Sequence, residues 1–158
     1  MIRVGQGYDA HQLVPKRKLI LGGVLIDFHL GLKGHSDADV LIHAIMDAIL
    51  GASGLGDIGQ HFPDSDLTFK NAKSRDLLTD VISLVESKKF KIINIDATII
   101  CQSPKLSEFI PKMIENIAVD CKCESSQVNI KATTTEMMGF IGRSEGIAAQ
   151  CSCLIESF

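Results

Sequence analysis

Ala38-Asp39-Val40-Leu41-Ile42-His43-Ala44-Ile45-Met46-Asp47-Ala48-Ile49-Leu50-Gly51-Ala52-Ser53 is apolar on nearly every side of a helical wheel. A helix that is apolar all round is a buried one, so this stretch predicts a central helix around which the remaining elements pack. Its polar interior residues, Asp39, His43 and Asp47, recur every four positions and fall on one face. Burying two carboxylates and an imidazole without partners costs several kcal/mol, so the fold must compensate them. A metal, a catalytic network, a satisfied structural network or an opening to solvent would each serve.

Working outward, Ile2 to His11, Leu19 to Leu21 and Val24 to Ile26 read as strands, the last two joined as a hairpin through Gly22-Gly23. Residues 54–68, rich in Gly, Asp and Pro, read as a loop. A second helix is predicted from Ala72 to Lys89, with Leu77, Leu78, Val81, Ile82 and Val85 as its stripe. Lys88 and Lys89 would stand in its last turn, where the helix dipole favours cations. A strand follows from Ile92 to Cys101, with Asn94, Asp96 and Thr98 on one face and Ile93, Ile95, Ala97 and Ile99 on the other. A third helix, Ser107 to Cys121, repeats the stripe with Phe109, Ile110, Met113, Ile114 and Ile117. Two strands close the chain, near Gln127 to Thr134 and Gly146 to Glu156. This order predicts one α+β domain over residues 1–158, with a mixed β-sheet and helices packed on one face.

Composition narrows the function classes. Hydrophobic residues make up 46% of the chain and charged residues 22%, as in an ordinary soluble globular protein. A net charge of -3 argues against nucleic-acid binding, and no apolar run is long enough for a membrane span. Met1-Ile2-Arg3-Val4 enters a structured pattern at once, so no signal or transit peptide is expected. The expected location is the cytoplasm, in a prokaryote or a processed organelle form. Five cysteines, an odd number, agree with a reducing compartment. They include two Cys-x-Cys pairs, Cys121 with Cys123 and Cys151 with Cys153. Alternation puts the second pair on the face shared by Ile147, Ala149 and Ile155, which favours a core role over a metal role.

Gly5-Gln6-Gly7-Tyr8-Asp9-Ala10 matches a dinucleotide-binding fingerprint, with Asp27 where a ribose-binding acid would stand. That mechanism needs a helix N-terminus directly after the glycines. The residues that follow, His11 to Lys18, are too few and are broken by Pro15, so the reading is discarded.

Asp9 and His11 carry a different signal. At i and i+2 of a strand they project from one face. With His43 they supply two imidazoles and a carboxylate, the donor set of a catalytic zinc with an open fourth position. Asp47, one turn beyond His43, is a candidate to orient that imidazole. Ser36-Asp37-Ala38-Asp39 has a capping-box pattern, so Ser36 is a candidate helix cap; the helix-start amides and His35 are candidates for phosphate contact. Lys131-Ala132-Thr133-Thr134-Thr135-Glu136 offers hydroxyls, a lysine and a carboxylate suited to a phosphate with a divalent ion, although threonine is also simply a good strand former.

Six motifs in register, from about residue 2 to residue 156, closely resemble the 2-C-methyl-D-erythritol 2,4-cyclodiphosphate synthase family. They are Gly5-x-Gly7-Tyr8-Asp9-x-His11; Gly34-His35-Ser36-Asp37-Ala38-Asp39 with His43; Gly56-Asp57-Ile58-Gly59; Phe62-Pro63-Asp64-Ser65-Asp66; Lys131 to Glu136; and Gly142-Arg143-x-Glu145-Gly146. The resemblance implies a homotrimer with active sites at the subunit interfaces. It assigns zinc to Asp9, His11 and His43, and magnesium or manganese at the diphosphate to Glu136. His35 and Thr134 match positions that stabilise the transition state. Asp57, Ile58, Gly59, Phe62, Pro63, Asp64, Ser65 and Asp66 match loops on the methylerythritol phosphate portion. Cys101 and Lys105, within a segment running to Ser107, match with Ala132, Thr133 and Thr134 the cytidine pocket of a neighbouring subunit. Ser36, Thr135, Glu136, Phe140 and Arg143 complete the implied substrate contacts, shared in part with Asp9 and His11. Residues matching Tyr8, Gly139, Arg143 and Glu145 border a central cavity that takes isoprenoid diphosphates in the family, although Arg143 and Glu145 also read as a plain ion pair.

The implied substrate is 4-diphosphocytidyl-2-C-methyl-D-erythritol 2-phosphate. Its 2-phosphate attacks the β-phosphorus and releases CMP, in the non-mevalonate route to isoprenoids. Some family members are fused to a cytidylyltransferase; this chain is expected to be monofunctional. Two other readings stay open: a zinc hydrolase that activates water with the same three ligands, and a non-catalytic metal or isoprenoid-diphosphate binding module.

Overall fold

Thirteen residues, Ile2–Val14, form strand β1, and the buried helix α1, Val40–Ser53, lies directly against it. In this computed structural model all 158 residues are described. Between these elements come the short strands β2 (Leu19–Leu21), β3 (Val24–Ile26) and β4 (Gly31–Leu32). After α1 follow a one-turn helix α2 (Ile58–His61), helix α3 (Ser74–Ser87), strand β5 (Phe90–Ile100) and helix α4 (Ile110–Asp120). Strand β6 (Val128–Thr133), a one-turn helix α5 (Gly139–Gly142) and strand β7 (Gly146–Ser157) complete the chain.

Five strands make one sheet in the order β4-β1-β7-β5-β6. All its pairings are antiparallel except β5 with β6, whose connection runs through α4. The expectation of a mixed sheet in an α+β fold is therefore met. β2 and β3 pair only with each other, so the hairpin stands apart from the main sheet. Its turn is made by Gly22 and Gly23 at φ 56° and 71°, a left-handed conformation that glycine adopts without steric penalty.

One cluster of 38 buried hydrophobic residues joins α1, α3 and α4 to the inner face of the sheet. The stripe on α3 is buried as its spacing predicts, and Ile147, Ala149, Cys151, Cys153 and Ile155 are buried together along β7. Both thiols are free; burial pushes Cys151 and Cys153 up, Cys153 to about 11, so they serve as small core hydrophobes. On α4 the stripe is only partly buried, with Met113 and Ile117 inside and Phe109, Ile110 and Ile114 at the margin.

Gly5 and Gly7 explain the fingerprint that led nowhere. A Cβ on Gly5 would lie 1.9 Å from the Ala48 carbonyl oxygen, and one on Gly7 2.1 Å from that of Ala44. The two glycines, matched by alanines at 44, 48 and 52, let the α1 backbone lie against the β1 backbone. Their role is helix–sheet contact, not a cradle for pyrophosphate.

The structure corrects several local expectations. α1 begins at Val40, because Ala38 is left-handed (φ 56°) and extended Asp39 is the N-cap, its carboxylate accepting from Ile42 N–H. Ser36 therefore does not cap α1; its Oγ accepts from Ala38 N–H. The first-turn amide of Ile42 is already satisfied and is not free for phosphate. α3 ends at Ser87, with Lys88 as its C-cap and Lys89 left-handed beyond it, so neither lysine is in the last turn. An irregularity in β5 between Ile92 and Asn94 puts Ile92, and not Ile93, on the buried face.

Gly7→Ala is expected to lower unfolding stability by about 1–3 kcal/mol or more, because the obstructing atoms are backbone and cannot rotate away. Urea denaturation measures this; an unchanged midpoint would contradict the close approach described here.

Candidate metal centre and flanking clefts

β1 carries Asp9 and His11 on the face turned toward α1, and α1 presents His43 to them. Asp9 Oδ2 lies 2.8 Å from His11 Nε2 and 3.1 Å from His43 Nδ1, and the two ring nitrogens are 3.2 Å apart. A tetrahedral ion with metal–nitrogen distances near 2.0–2.1 Å needs ligand atoms roughly 3.3 Å apart, close to this triangle. His11 Nδ1 donates to the Lys33 carbonyl at 2.7 Å. That carbonyl can only accept, so the neutral ring turns a bare Nε2 toward Asp9. A lone pair facing a carboxylate repels unless a cation lies between them. The donor set and its spacing therefore fit a metal ion.

The charges respond to this crowding. Burial opposes ionisation of Asp9, but the His11 and His43 imidazoles beside it outweigh burial and hold the carboxyl well below its usual range. Burial likewise disfavours charge on His11, and the Asp9 carboxylate overrides it to raise the imidazole.

His43 is held from behind by Ser74 Oγ at 3.0 Å and Ser36 Oγ at 3.3 Å, both at Nε2. Asp47 makes no hydrogen bond to the imidazole and is not its orienter. One of its oxygens accepts from Ile58 N–H at 2.8 Å, fastening the following loop to α1. Asp39 serves a third purpose. Fully buried, it accepts from Gly22 and Gly23 N–H as well as from Ile42 N–H, tying the β2–β3 hairpin to the start of α1. Burial and neighbouring Asp37 push its carboxyl up to about 6 against these amides. The polar face of α1 thus splits among three partners, and only His43 belongs to the metal cluster.

The triad opens into a cleft of about 370 Å³ that also gathers His35, Ser36, Ile58, Gly59, Phe62, Pro63 and Asp64. Phe62 and Phe69 meet edge to face across it, with ring centroids 5.3 Å apart. Three loop candidates do not line it. Asp57 and Asp66 cap local turns by accepting from Gln60 and Thr68 N–H, and Ser65 is simply exposed.

A second cleft is lined by Cys101, Lys105, Ala132, Thr133 and Thr134, together with Gln102. It shares no residue with the first. Thr134 Oγ1 accepts from Glu136 N–H, and Glu136 is exposed beyond it, so one chain does not bring either to the metal cluster. Thr135 donates its hydroxyl to the Met138 carbonyl. Lys131 pairs with Asp96. Phe140 borders a shallow depression with Ala10, His11 and Gln12. Arg143 pairs with Glu145 at 2.8 Å on the surface, as the ion-pair reading expects.

Ser74 and Asp37 were not singled out by sequence. Ser74 lies 31 residues from His43, and no spacing rule connects the start of one helix to the middle of another.

A profile of the YgbB family matches residues 2–156. A 2-C-methyl-D-erythritol 2,4-cyclodiphosphate synthase of Methylobacillus flagellatus is 59% identical over 100% of this chain and 99% of its own length. Among solved structures, the bifunctional IspDF of Campylobacter jejuni superposes with a TM-score of 0.96 at 48% identity, covering 100% of this chain. The chain spans 43% of that longer protein. A Plasmodium falciparum IspF, solved as a CDP complex, superposes with a TM-score of 0.87 at 35% identity over 99% of this chain and 96% of its own.

Asp47→Ala is expected to leave metal affinity unchanged while raising hydrogen exchange at the Ile58 amide, whose acceptor it removes. Loss of metal with unchanged exchange would restore Asp47 as an orienter of His43.

Proposed function

The chain belongs to the YgbB family, and from that membership we infer its reaction: it is a 2-C-methyl-D-erythritol 2,4-cyclodiphosphate synthase. The observation that carries this is 59% identity to a synthase of that activity over the whole of both chains. The enzyme acts on 4-diphosphocytidyl-2-C-methyl-D-erythritol 2-phosphate. A 2-phosphate oxygen forms a bond to the β-phosphorus, and the bond from that phosphorus to the bridging oxygen breaks. The electron pair leaves on the α-phosphate of CMP. An eight-membered cyclic diphosphate closes without water.

Because the nucleophile is already anionic, the protein's task is to fold the substrate in line and to balance charge. Asp9, His11 and His43 would hold zinc and Glu136 magnesium or manganese, cations that supply Lewis-acid charge neutralisation on phosphate oxygens. In this reading the metal cleft takes the methylerythritol phosphate portion. His35 and Ser36 reach its phosphate oxygens, and Ile58, Gly59, Phe62, Pro63 and Asp64 hold the carbon skeleton, with Asp57 and Asp66 shaping their loops through local caps. Phe62 and Phe69 wall that cleft with apolar surface, which keeps a competing water from the phosphorus. The second cleft takes the nucleotide, with Cys101, Lys105, Ala132 and Thr133 around the cytidine and Thr134 toward the diphosphate, while Thr135, outside that cleft, would reach the diphosphate only by giving up its bond to the Met138 carbonyl.

In keeping with the family resemblance, the active site is composed from neighbouring copies, the metal cleft of one meeting the second cleft of the next, two hollows that share no residue within one chain. Residues 1–158 act as one domain in a homotrimer. The outer face of the sheet supports this: Ile2, Val4 and Tyr8 are 68%, 73% and 54% exposed on one side of β1, interrupted only by Gln6, where a monomer would favour polar residues throughout. Tyr8 on that face, with Gly139, Arg143 and Glu145, would border a central cavity for an isoprenoid diphosphate. The Arg143–Glu145 pair leaves little free charge there. No helix is long and apolar enough to cross a membrane.

Phosphorus NMR of the zinc-loaded protein with substrate and magnesium should show cyclic diphosphate and CMP in equal amounts. A linear phosphate product would favour a zinc hydrolase, and binding without turnover a binding module. His43→Ala is expected to lose zinc and nearly all activity; full turnover by that zinc-free protein would refute the assignment. Val4→Glu, placing charge on the apolar face, is expected to reduce the mass in sedimentation from trimer to monomer. A trimer surviving that change would direct attention to another face.

A further inference from the structure

Behind the proposed metal ligand His43 lies a chain of hydrogen bonds whose protons can be counted. Ser74 is fully buried at the first turn of α3. Its hydroxyl donates to Asp37 Oδ1 at 2.5 Å, and its backbone N–H donates to Asp37 Oδ2 at 3.1 Å. Asp39 N–H adds a third donor to the same carboxylate at 3.2 Å. A serine has one hydroxyl proton, and here the carboxylate takes it. Only lone pairs of Ser74 Oγ remain to face His43 Nε2, 3.0 Å away. The contact is attractive only if Nε2 carries the proton, which leaves Nδ1 bare. Nδ1 is the nitrogen 3.1 Å from Asp9 Oδ2 and 3.2 Å from His11 Nε2.

We propose that Asp37 and Ser74 form a relay that fixes His43 as its Nε2–H tautomer and thereby presents Nδ1 to the metal. Both are positioning residues, acting through His43. The relay does for His43 what the Lys33 carbonyl does for His11, so each imidazole is locked from behind by an acceptor. Ser36 Oγ lies 3.3 Å from the same Nε2 and accepts from Ala38 N–H, which leaves it one further lone pair with which to accept from the Nε2–H tautomer. Asp37 has a second effect. Lys73, the N-cap of α3, makes no side-chain cap, and the Asp37 carboxylate receives the first helical amide from outside. A single side chain therefore joins the start of α3 to the metal-binding face of α1.

The proposal rests on the reading of Asp9, His11 and His43 as a metal site, and two measurements keep the two apart. The first is nitrogen-15 NMR of the metal-free protein, which reports imidazole tautomers with no metal present. The native protein is expected to show His43 protonated at Nε2. In Asp37→Asn an amide replaces one oxygen. With its carbonyl on Ser74 N–H, its NH2 faces Ser74 Oγ, and the hydroxyl proton is released toward His43. The tautomer is then expected to shift toward Nδ1–H. The second is zinc affinity by competition with a chromophoric chelator. Asp37→Asn and Ser74→Ala are expected to bind roughly 10–100-fold more weakly, while Ser74→Thr, which keeps the hydroxyl, stays near native.

A native protein that binds no zinc overturns the site reading and leaves the tautomer result to judge the relay. Proton on Nδ1 in the native metal-free protein overturns the relay. So do native zinc affinity and an unchanged tautomer in Ser74→Ala. Should Asp37→Asn fail to fold, Ser74→Ala decides alone, since it keeps the Ser74 amide on Asp37 and so keeps α3 anchored.

Discussion

α1 lies on β1 with backbone against backbone, and much of the molecule follows from that contact. At Gly5 and Gly7 there is no room for even one methyl group before the carbonyls of Ala48 and Ala44. Interiors packed at crystalline density do not absorb such an intrusion without moving an element. The approach sets the height of α1 above the sheet and its register along β1. Asp9 and His11 lie just beyond Gly7 on β1, and His43 just before Ala44 on α1. The same few residues that permit contact thus carry two halves of one site to ligand-bond range.

What the contact brings together, hydrogen bonds then orient. His11 is turned by a main-chain carbonyl and His43 by a serine that has already spent its proton on a carboxylate. Two imidazole lone pairs and a carboxylate converge at about 3 Å. This arrangement is unfavourable by itself and favourable around a cation. The surrounding acids are kept out of that cluster by other work. Asp39 is occupied by three amides, and Asp47 holds the loop that begins at Ile58. No buried side-chain polar atom is left without a partner, and Asp9, His11 and His43 are the titratable groups whose ligand atoms converge.

The second cleft lies apart from the first. Thr134 and Lys105 line a hollow that has no residue in common with the metal cleft. The sheet face on the outer side of β1 offers apolar residues to nothing within the chain. Both features make sense together if the surface that buries those side chains is also the surface that completes the site.

Much of this was legible in the sequence because it depends on local periodicity. The all-apolar helix, the stripe on α3, the alternation along β7 and the Gly22-Gly23 hairpin follow from 3.6- and 2-residue repeats and from left-handed turn chemistry. The metal triad was legible too, since Asp9 and His11 share a strand face and His43 is the lone imidazole of a buried helix. Other features depend on atoms distant in the chain. Which acid on α1 serves which partner, why Ile92 replaces Ile93 in the core, and that Asp37 and Ser74 stand behind His43 were decided only by the tertiary structure. Residue spacing states which side chains share a face, whereas a hydrogen bond requires two atoms to meet at about 3 Å in a fixed direction. That meeting is set by how the elements pack.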